Sequence, residues 1–321
     1  MKDIRSIDSS SHRAEAQPSG RRIPRVLTNR RFVVGGTLVL LVVGAGLLGP
    51  VLDDIDPNAT DVVARLVAPG SPGHPLGTDS FGRDLGARTF AGIRISVSIG
   101  LGVALCATLL GVAAGLVAAY VRPLDAVVMR FIDGLTAFPE ILLALAIVAA
   151  VGASSWNLVL CMTVVFFPGI ARLTRSNVLV AREALYVRAL EAVGAGKTWT
   201  MTRHILPNAA SSIVVQASAA FSSAIVIETA LSFLGAGIPA PNASIGNMIA
   251  DSREYIYTSP WPLIIPASAL VLLVLGGNLV GDGLRDILDP RWQPGAHVRG
   301  RGGLVDRRAA AVQSPGLVRE V

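Results

Sequence analysis

Six apolar stretches, separated by polar segments, dominate the chain. A helix crosses the hydrocarbon layer of a membrane with about 20 predominantly apolar residues, so each stretch predicts one transmembrane helix, the fourth being the shortest. The first is too long for a signal peptide, and we interpret it as an N-terminal anchor. The pattern predicts an all-α integral membrane protein with six transmembrane helices. The stretches are residues 32–52, 95–121, 134–151, 157–171, 211–234 and 261–281.

The composition also indicates a helical membrane bundle. Hydrophobic residues make up 52% of the chain and charged residues only 16%, whereas soluble domains carry about 25% charged residues. The mean hydropathy is +0.57. Gly111 and Gly115 have the Gly-x-x-x-Gly spacing that lets helices approach closely. Cys106 and Cys161 lie inside apolar stretches, which predicts buried thiols rather than a disulfide or a metal site.

The polar segments predict how the chain is divided. Residues 1–31 and 285–321 are basic tails, disordered for the most part by composition. Residues 53–90 are acidic and rich in proline and glycine, which predicts an external loop without a long helix. Residues 91–284 form the transmembrane core, and its longest polar interruption is a loop at residues 172–208.

The basic residues predict the orientation in the membrane. Most of the 28 lysines and arginines fall in residues 1–31, 121–135, 171–208 and 285–321. Cytoplasmic loops carry such an excess, so we expect both termini and the loop at 172–208 to be cytoplasmic. Because the cations cluster in alternate polar segments, the net charge of +6 does not indicate nucleic-acid binding.

The loop at 172–208 predicts two short helices around a glycine. Residues 181–193 are good helix formers, and Gly194 follows as a C′ residue would. Thr198 is a candidate N-cap for a second short helix through residue 204, and Pro207 would follow its end. In the first helix we expect an apolar stripe of Leu185, Ala189 and Ala192 and an ion pair of Arg188 with Glu191.

This loop resembles the cytoplasmic helix with which permease subunits of ABC importers dock on their ATPase. In that signature Glu-Ala-Ala precedes a glycine and a later Leu-Pro. Here the three positions read Arg188-Ala189-Leu190, followed by Gly194 and Leu206-Pro207. An arginine therefore replaces the acidic residue, and Arg188 is where we expect this chain to differ from its relatives.

Further motifs resemble the C-type permease subunit of the dipeptide, oligopeptide and nickel importers. They follow the same order as in that family and span roughly residues 30–292. The motifs are His74-Pro75-Leu76-Gly77-Thr78-Asp79 with Gly82-Arg83-Asp84, then Asp125, Arg130, Asp133 and Ala137-Phe138-Pro139, then Glu228-Thr229-Ala230-Leu231-Ser232-Phe233-Leu234-Gly235, and Gly246-Asn247-Met248-Ile249-Ala250.

The resemblance implies a type I ABC importer permease in a bacterial cytoplasmic membrane, with a coupling helix between transmembrane helices 4 and 5. It implies a heterodimer with a homologous permease, two ATPase subunits that bind ATP and Mg²⁺, and an extracytoplasmic binding protein. The expected cargo is a dipeptide or oligopeptide. The expected coupling residues are Arg188, Ala189, Leu190, Glu191, Gly194, Leu206 and Pro207, and the expected docking residues for the binding protein are Asp251, Arg253 and Glu254.

Several other interpretations stay open or are disfavoured. The cargo could be nickel or another small solute, and a secondary transporter without an ATPase is the alternative from another class. Gly194-Ala195-Gly196-Lys197-Thr198 imitates the end of a phosphate-binding loop, but Glu191 stands where that motif needs glycine, so we expect no cofactor on this chain. The four histidines have no metal-ligand spacing, and no catalytic constellation is present. Glu228, an acid within a span, is a candidate for the translocation path or for subunit pairing.

Overall fold

The computed structural model describes residues 29–52 and 55–288, and all regular elements in this part are helical. The predicted tails therefore lie mostly outside the described residues. The all-α fold is confirmed. The helices are α1 Arg30–Leu52, α2 Leu85–Tyr120, α3 Arg122–Thr136, α4 Glu140–Val151, α5 Ser155–Arg182, α6 Leu185–Ala192, α7 Lys197–Thr200, α8 Leu206–Phe233, α9 Ile245–Ser252 and α10 Trp261–Leu288.

Five helical segments are long and apolar enough to cross a membrane, and a bent pair supplies a sixth. The five are α1, α2, α5, α10 and the continuous helix Lys197–Phe233, in which α7 passes through a π-helical turn into α8. The pair is α3 and α4, which meet at 93°. The predicted third span is thus wrong as a single straight helix, because Pro139 lacks an N–H donor and disfavours α conformation in the residue before it.

Helices α2 and α5 run parallel, which shows that the bent pair crosses the bundle. A Cβ atom on Gly102 would lie 3.2 Å from Val159 Cγ2, and one on Gly115 would lie 2.6 Å from the carbonyl oxygen of Ala171. Residue numbers in the two helices therefore rise together. Since α2 and α5 start on the same side, the segment between them must return the chain across the bundle, and α3 with α4 is that segment.

The remaining long helices alternate in direction. Gly100 of α2 lies beside Ile225 of α8, whereas Ser96 of α2 bonds Glu228, so these two helices are antiparallel. The same reversal of residue numbers relates α10 to α8 and α1 to α10, so residue 29 and residue 288 lie on one side. The pairs in close approach are Gly277 with Ser222, Gly281 with Ser218, Gly35 with Leu279 and Gly283 with Phe32.

This topology gives the bundle two distinct sides. The side that carries residue 29, the α2–α3 junction, α6 and residue 288 is called the basic side. The side that carries residues 55–84 and 234–260 is called the loop side. Ion pairs hold helix ends together on the basic side, where Arg175 binds both carboxylate oxygens of Asp125 at 2.6 Å each.

The loop side is ordered by the acidic and basic residues of its turn motif. Asp79 Oδ1 accepts hydrogen bonds from the backbone N–H groups of Phe81 and Arg83 and so shapes the turn before α2. Asp84 caps α2 by accepting from Ala87 N at 2.8 Å. Helix α2 thus begins at Leu85, well before the predicted start at residue 95.

The early start of α2 is explained by a buried cation. Arg88 is only 1% exposed, yet its guanidinium lies 3.5 Å from Asp79 Oδ2 and donates to the Pro57 carbonyl at 3.1 Å. Because charged residues such as Arg88 precede the apolar stretch, the hydropathy pattern placed the start of this span at residue 95. Burial of a charge is tolerated when it is paired and hydrogen-bonded, so the helix continues through Arg88 into the loop side.

Candidate coupling surface and polar cavity

Helix α6 projects from the basic side between α5 and the long helix Lys197–Phe233. The predicted helix 181–193 is wrong as one element, because α5 runs to Arg182 and Ala184 takes an extended conformation before α6 begins. Arg182 fixes the end of α5 by donating to the Ala119 carbonyl at 2.7 Å. Gly194 has φ +87°, which confirms it as the C′ residue that ends α6. Few residues other than glycine take this conformation.

A single valine anchors α6 to the bundle. Val187 is fully buried in a cluster with Val178 and Ile205, and next to it the Tyr186 hydroxyl accepts from Asn208 Nδ2 at 2.9 Å. The predicted apolar stripe lies on the exposed side of α6, away from the face that packs against the bundle. Leu185, for example, is 86% exposed, and the two alanines of that stripe, Ala189 and Ala192, are exposed as well.

The outer surface of this region is apolar at several points. Leu185 and Val193 are 86% and 82% exposed, and Trp199 is 50% exposed. Exposed apolar groups concentrated on one projection mark an interaction site. We call the exposed surface of residues 185–199 the coupling surface.

Arg188 lies on the coupling surface and is paired differently from the prediction. Its guanidinium contacts the Glu183 carboxylate, so the expected pair with Glu191 is wrong. The break between α5 and α6 brings Glu183 within reach, while Glu191 is exposed on the next turn of α6. Both partners of the observed pair are more than half exposed, and such pairs contribute little to stability.

The chain after the glycine hinge enters one uninterrupted helix. Gly196, not Thr198, is the N-cap of α7, so the capping prediction is wrong. The helix also does not stop before Pro207, because a π turn at Met201–Ile205 leads into α8. The Leu206 N–H bonds Met201 O in this turn. Widening the turn here accommodates Pro207, which has no N–H of its own to continue the α pattern.

Glu228 is enclosed within the chain near the loop side. It is 0% exposed and accepts hydrogen bonds from the hydroxyl groups of Ser96 and Ser232, each at 2.8 Å. Ser232 Oγ in turn accepts from Ile238 N at 3.2 Å. The carboxyl is thus enclosed by side chains of this chain and ties α2, α8 and the following loop together, while its role in the path or in subunit pairing stays a prediction.

The three residues predicted to dock a binding protein lie together on the loop side. Asp251 lies in the last turn of α9, and Arg253 and Glu254 follow in a short 3₁₀ turn. All three are exposed. Asp251 Oδ2 accepts from Arg83 Nη2 at 3.3 Å, which links α9 to the turn that precedes α2.

A polar cavity of about 320 Å³ opens beside the break between α3 and α4. The sequence analysis identified neither Gln216 nor Ser223 as a site residue. A glutamine within an apolar span is the signal that could have found the cavity. The polar residues that line the cavity are Thr136, Glu140, Arg172, Gln216 and Ser223.

The number and directions of the apolar helices define a multi-pass membrane protein. Residues 107–294 match the family described as "Binding-protein-dependent transport system inner membrane component". The chain belongs to this family.

Relatives support this membership along most of the chain. A protein of Brucella abortus described as a peptide transport system permease is 43% identical over 83% of this chain and 90% of its own length. The dipeptide transport system permease protein DppC of Alkalihalophilus pseudofirmus is 39% identical over 83% and 87%. The glutathione transport system permease protein GsiD of Pectobacterium atrosepticum is 38% identical over 83% and 89%.

A solved structure supports the fold. One chain of the MetNI methionine ABC transporter, in an inward-facing conformation, aligns with a TM-score of 0.51 and 19% identity. The alignment covers 61% of this chain and 94% of that one. At this identity the likeness concerns the fold alone.

Proposed function

We propose that this chain is one transmembrane subunit of an ATP-driven importer of dipeptides or oligopeptides. It would pair with a homologous permease and form half of the translocation path. ATP and Mg²⁺ would bind to two separate ATPase subunits, and an external binding protein would deliver the cargo. Family membership and the described substrates of the relatives support this proposal.

The observation that carries the proposal is the coupling surface. It presents large apolar side chains outside the bundle, while Val187 holds α6 against helices that cross the membrane. An ATPase subunit that grips this surface would move α6, and closure of the ATPase dimer on ATP would bias the permease between two states. The expected coupling residues Arg188, Ala189 and Glu191 are exposed on this surface. Gly194 ends α6, and Leu206-Pro207 begin α8.

The orientation follows from the charges. We expect the basic side to face the cytoplasm, because cytoplasmic segments carry the excess of lysine and arginine. The loop side would then face the binding protein, with Asp251, Arg253 and Glu254 as exposed contacts. Both termini of the chain would be cytoplasmic.

Uptake by the reconstituted complex tests the proposal. The chain is co-purified with its partner permease and ATPase subunits, placed in proteoliposomes with the binding protein, and assayed for ATP-dependent uptake of labelled dialanine and of nickel. Leu185→Asp would place a charge on the coupling surface, and we expect it to release the ATPase and to reduce uptake at least about tenfold. Val63→Asp is the matched control, because Val63 is 94% exposed on the loop side.

Two results would contradict the proposal. If the parent complex takes up nickel but no peptide, the importer stands and its cargo is corrected. If Leu185→Asp keeps the ATPase bound and uptake unchanged, α6 is not the coupling element.

A further inference from the structure

The break between α3 and α4 lies within the thickness of the membrane. Helix α4 has 12 residues and ends on the loop side at Val151. At 1.5 Å per residue it is about 18 Å long, whereas the hydrocarbon core is about 30 Å thick. Glu140, in the first turn of α4, therefore lies inside the membrane layer. Non-helical backbone at such depth occurs where it lines a cavity or is buried in protein.

The cavity beside the break holds charged groups that lipid would not tolerate. Glu140 and Ser223 are exposed in the isolated chain, and Arg172 is 44% exposed. Gln216 and Ser223 lie near the middle of α8. Polar and charged groups at membrane depth face a water-filled path or a protein partner, because exposing them to hydrocarbon is costly.

The two charges of the cavity differ in how the chain satisfies them. Arg172 Nη2 donates to Asp133 at 2.7 Å and to Thr136 at 2.6 Å. Within the described residues, no cation lies at salt-bridge distance from the Glu140 carboxylate, although the positive end of α4 favours its charge. Glu140 is thus available to a cationic group that enters the cavity.

We propose that this cavity is a binding site for a short peptide on its way across the membrane. The Glu140 carboxylate accepts hydrogen bonds from the peptide's α-ammonium group, and Arg172 donates to its carboxylate. Gln216 and Ser223 hydrogen-bond the peptide link. The volume of about 320 Å³ is at the lower end of small-ligand sites, ~300–1,000 Å³, which favours dipeptides and tripeptides. This inference rests on the proposed function.

Protection of an introduced thiol tests the site without relying on the selectivity of a binding protein. Ala219→Cys, at an exposed lining residue to which no peptide contact is assigned, is made in the permease–ATPase complex in nanodiscs, and its rate of labelling by a polar methanethiosulfonate is measured with and without millimolar dialanine. We expect dialanine to slow labelling about fivefold or more and N-acetyl-dialanine to leave the rate unchanged. Val214→Cys is the control, because Val214 is 44% exposed on the same helix. It lies about 160° around the helix axis from Gln216, on the opposite face.

Variants of Glu140 separate its charge from its shape. Glu140→Gln, combined with Ala219→Cys, should abolish protection by dialanine, whereas Glu140→Asp should retain it. Equal labelling rates with and without dialanine would overturn the site. Equal protection by dialanine and N-acetyl-dialanine would overturn the assignment of the ammonium group to Glu140. Failure of the parent complex to take up dialanine would instead overturn the proposed function.

Discussion

Removal of the Glu228 carboxyl tests whether this buried acid holds the helices together or acts in transport. In Glu228→Ala the hydroxyl groups of Ser96 and Ser232 lose their shared acceptor in a fully buried place. Ser232 also accepts from Ile238 N, so the loop after α8 would be loosened as well. Glu228→Gln keeps the volume, and its amide can both accept from one serine and donate to the other.

The expected loss of stability in Glu228→Ala follows from the hydrogen bonds that the substitution removes. Hydrogen bonds between side chains in membrane proteins contribute about 0.6 kcal/mol each on average, and a buried polar group left unsatisfied costs about 1–3 kcal/mol. Loss of the two bonds alone would cost about 1 kcal/mol, and two hydroxyls left unsatisfied raise the predicted loss in Glu228→Ala to about 2–6 kcal/mol. A loss of 1 kcal/mol lowers Tm by about 2–4 °C in domains of 150–250 residues, so we expect a decrease of at least about 4 °C. Glu228→Gln should stay within about 2 °C of the parent.

The assay is thermal unfolding of the purified complex in detergent, together with peptide uptake in proteoliposomes. Glu254→Ala is the matched control for the Tm measurement, since this acid is exposed on the loop side. A Tm of Glu228→Ala equal to that of the control would refute the structural reasoning. A Glu228→Gln complex with the parent Tm but without uptake would show that the negative charge itself acts in transport.

Three further predictions concern helix packing, the anchoring of α6 and the orientation. Gly115→Leu should lower Tm by several degrees, because a Cβ atom there meets Ala171 O at 2.6 Å and overpacking costs about 1–3 kcal/mol. Gly36→Leu is the control and should leave Tm unchanged, since a Cβ atom there meets nothing within 4 Å. Val187→Asp should expose residues 183–196 to limited proteolysis about tenfold faster than Val193→Asp, since only Val187 is buried and cleavage follows the open population; equal cleavage would contradict the anchoring role. In right-side-out cells, an impermeant thiol reagent should label Val63→Cys and spare Val193→Cys, and the reverse pattern would invert the proposed orientation.

The number of membrane-crossing segments and the polar segments between them could be predicted, because membrane helices must satisfy their own backbone and present apolar side chains. The bend at Pro139 could not be placed from hydropathy, since residues 134–151 read as one apolar stretch that begins in the last turn of α3 and continues through α4. Proline alone does not specify whether a helix bends slightly or turns by 93°. The angle is set by tertiary contacts such as the burial of Ile132 beside Phe167 and Ile170.

The candidate site shows the same division between local and distant information. Gly194 could be predicted to end α6 because its backbone conformation is a local property. The buried face of α6 could not, because Leu185, Val187 and Ala189 all suit a short amphipathic helix. Val187 is selected by a pocket that Val178 and Ile205 build. The partners of Glu228 are also remote, since Ser96 lies 132 positions away in the sequence.

The continuous helix changes how α6 can act on the membrane region. The sequence predicts two short helices around Gly194, the second of which ends before Pro207. The structure retains the turn at Gly194 but joins the second helix to the following span as a single helix of 37 residues, Lys197–Phe233, about 55 Å long. Near its start this helix contacts α6 through Ile205 and Asn208, and farther along it lines the polar cavity with Gln216 and Ser223. Displacement of α6 would therefore reach the cavity through a rigid element, and its one irregularity, the π turn beside α6, is where we expect bending to be absorbed.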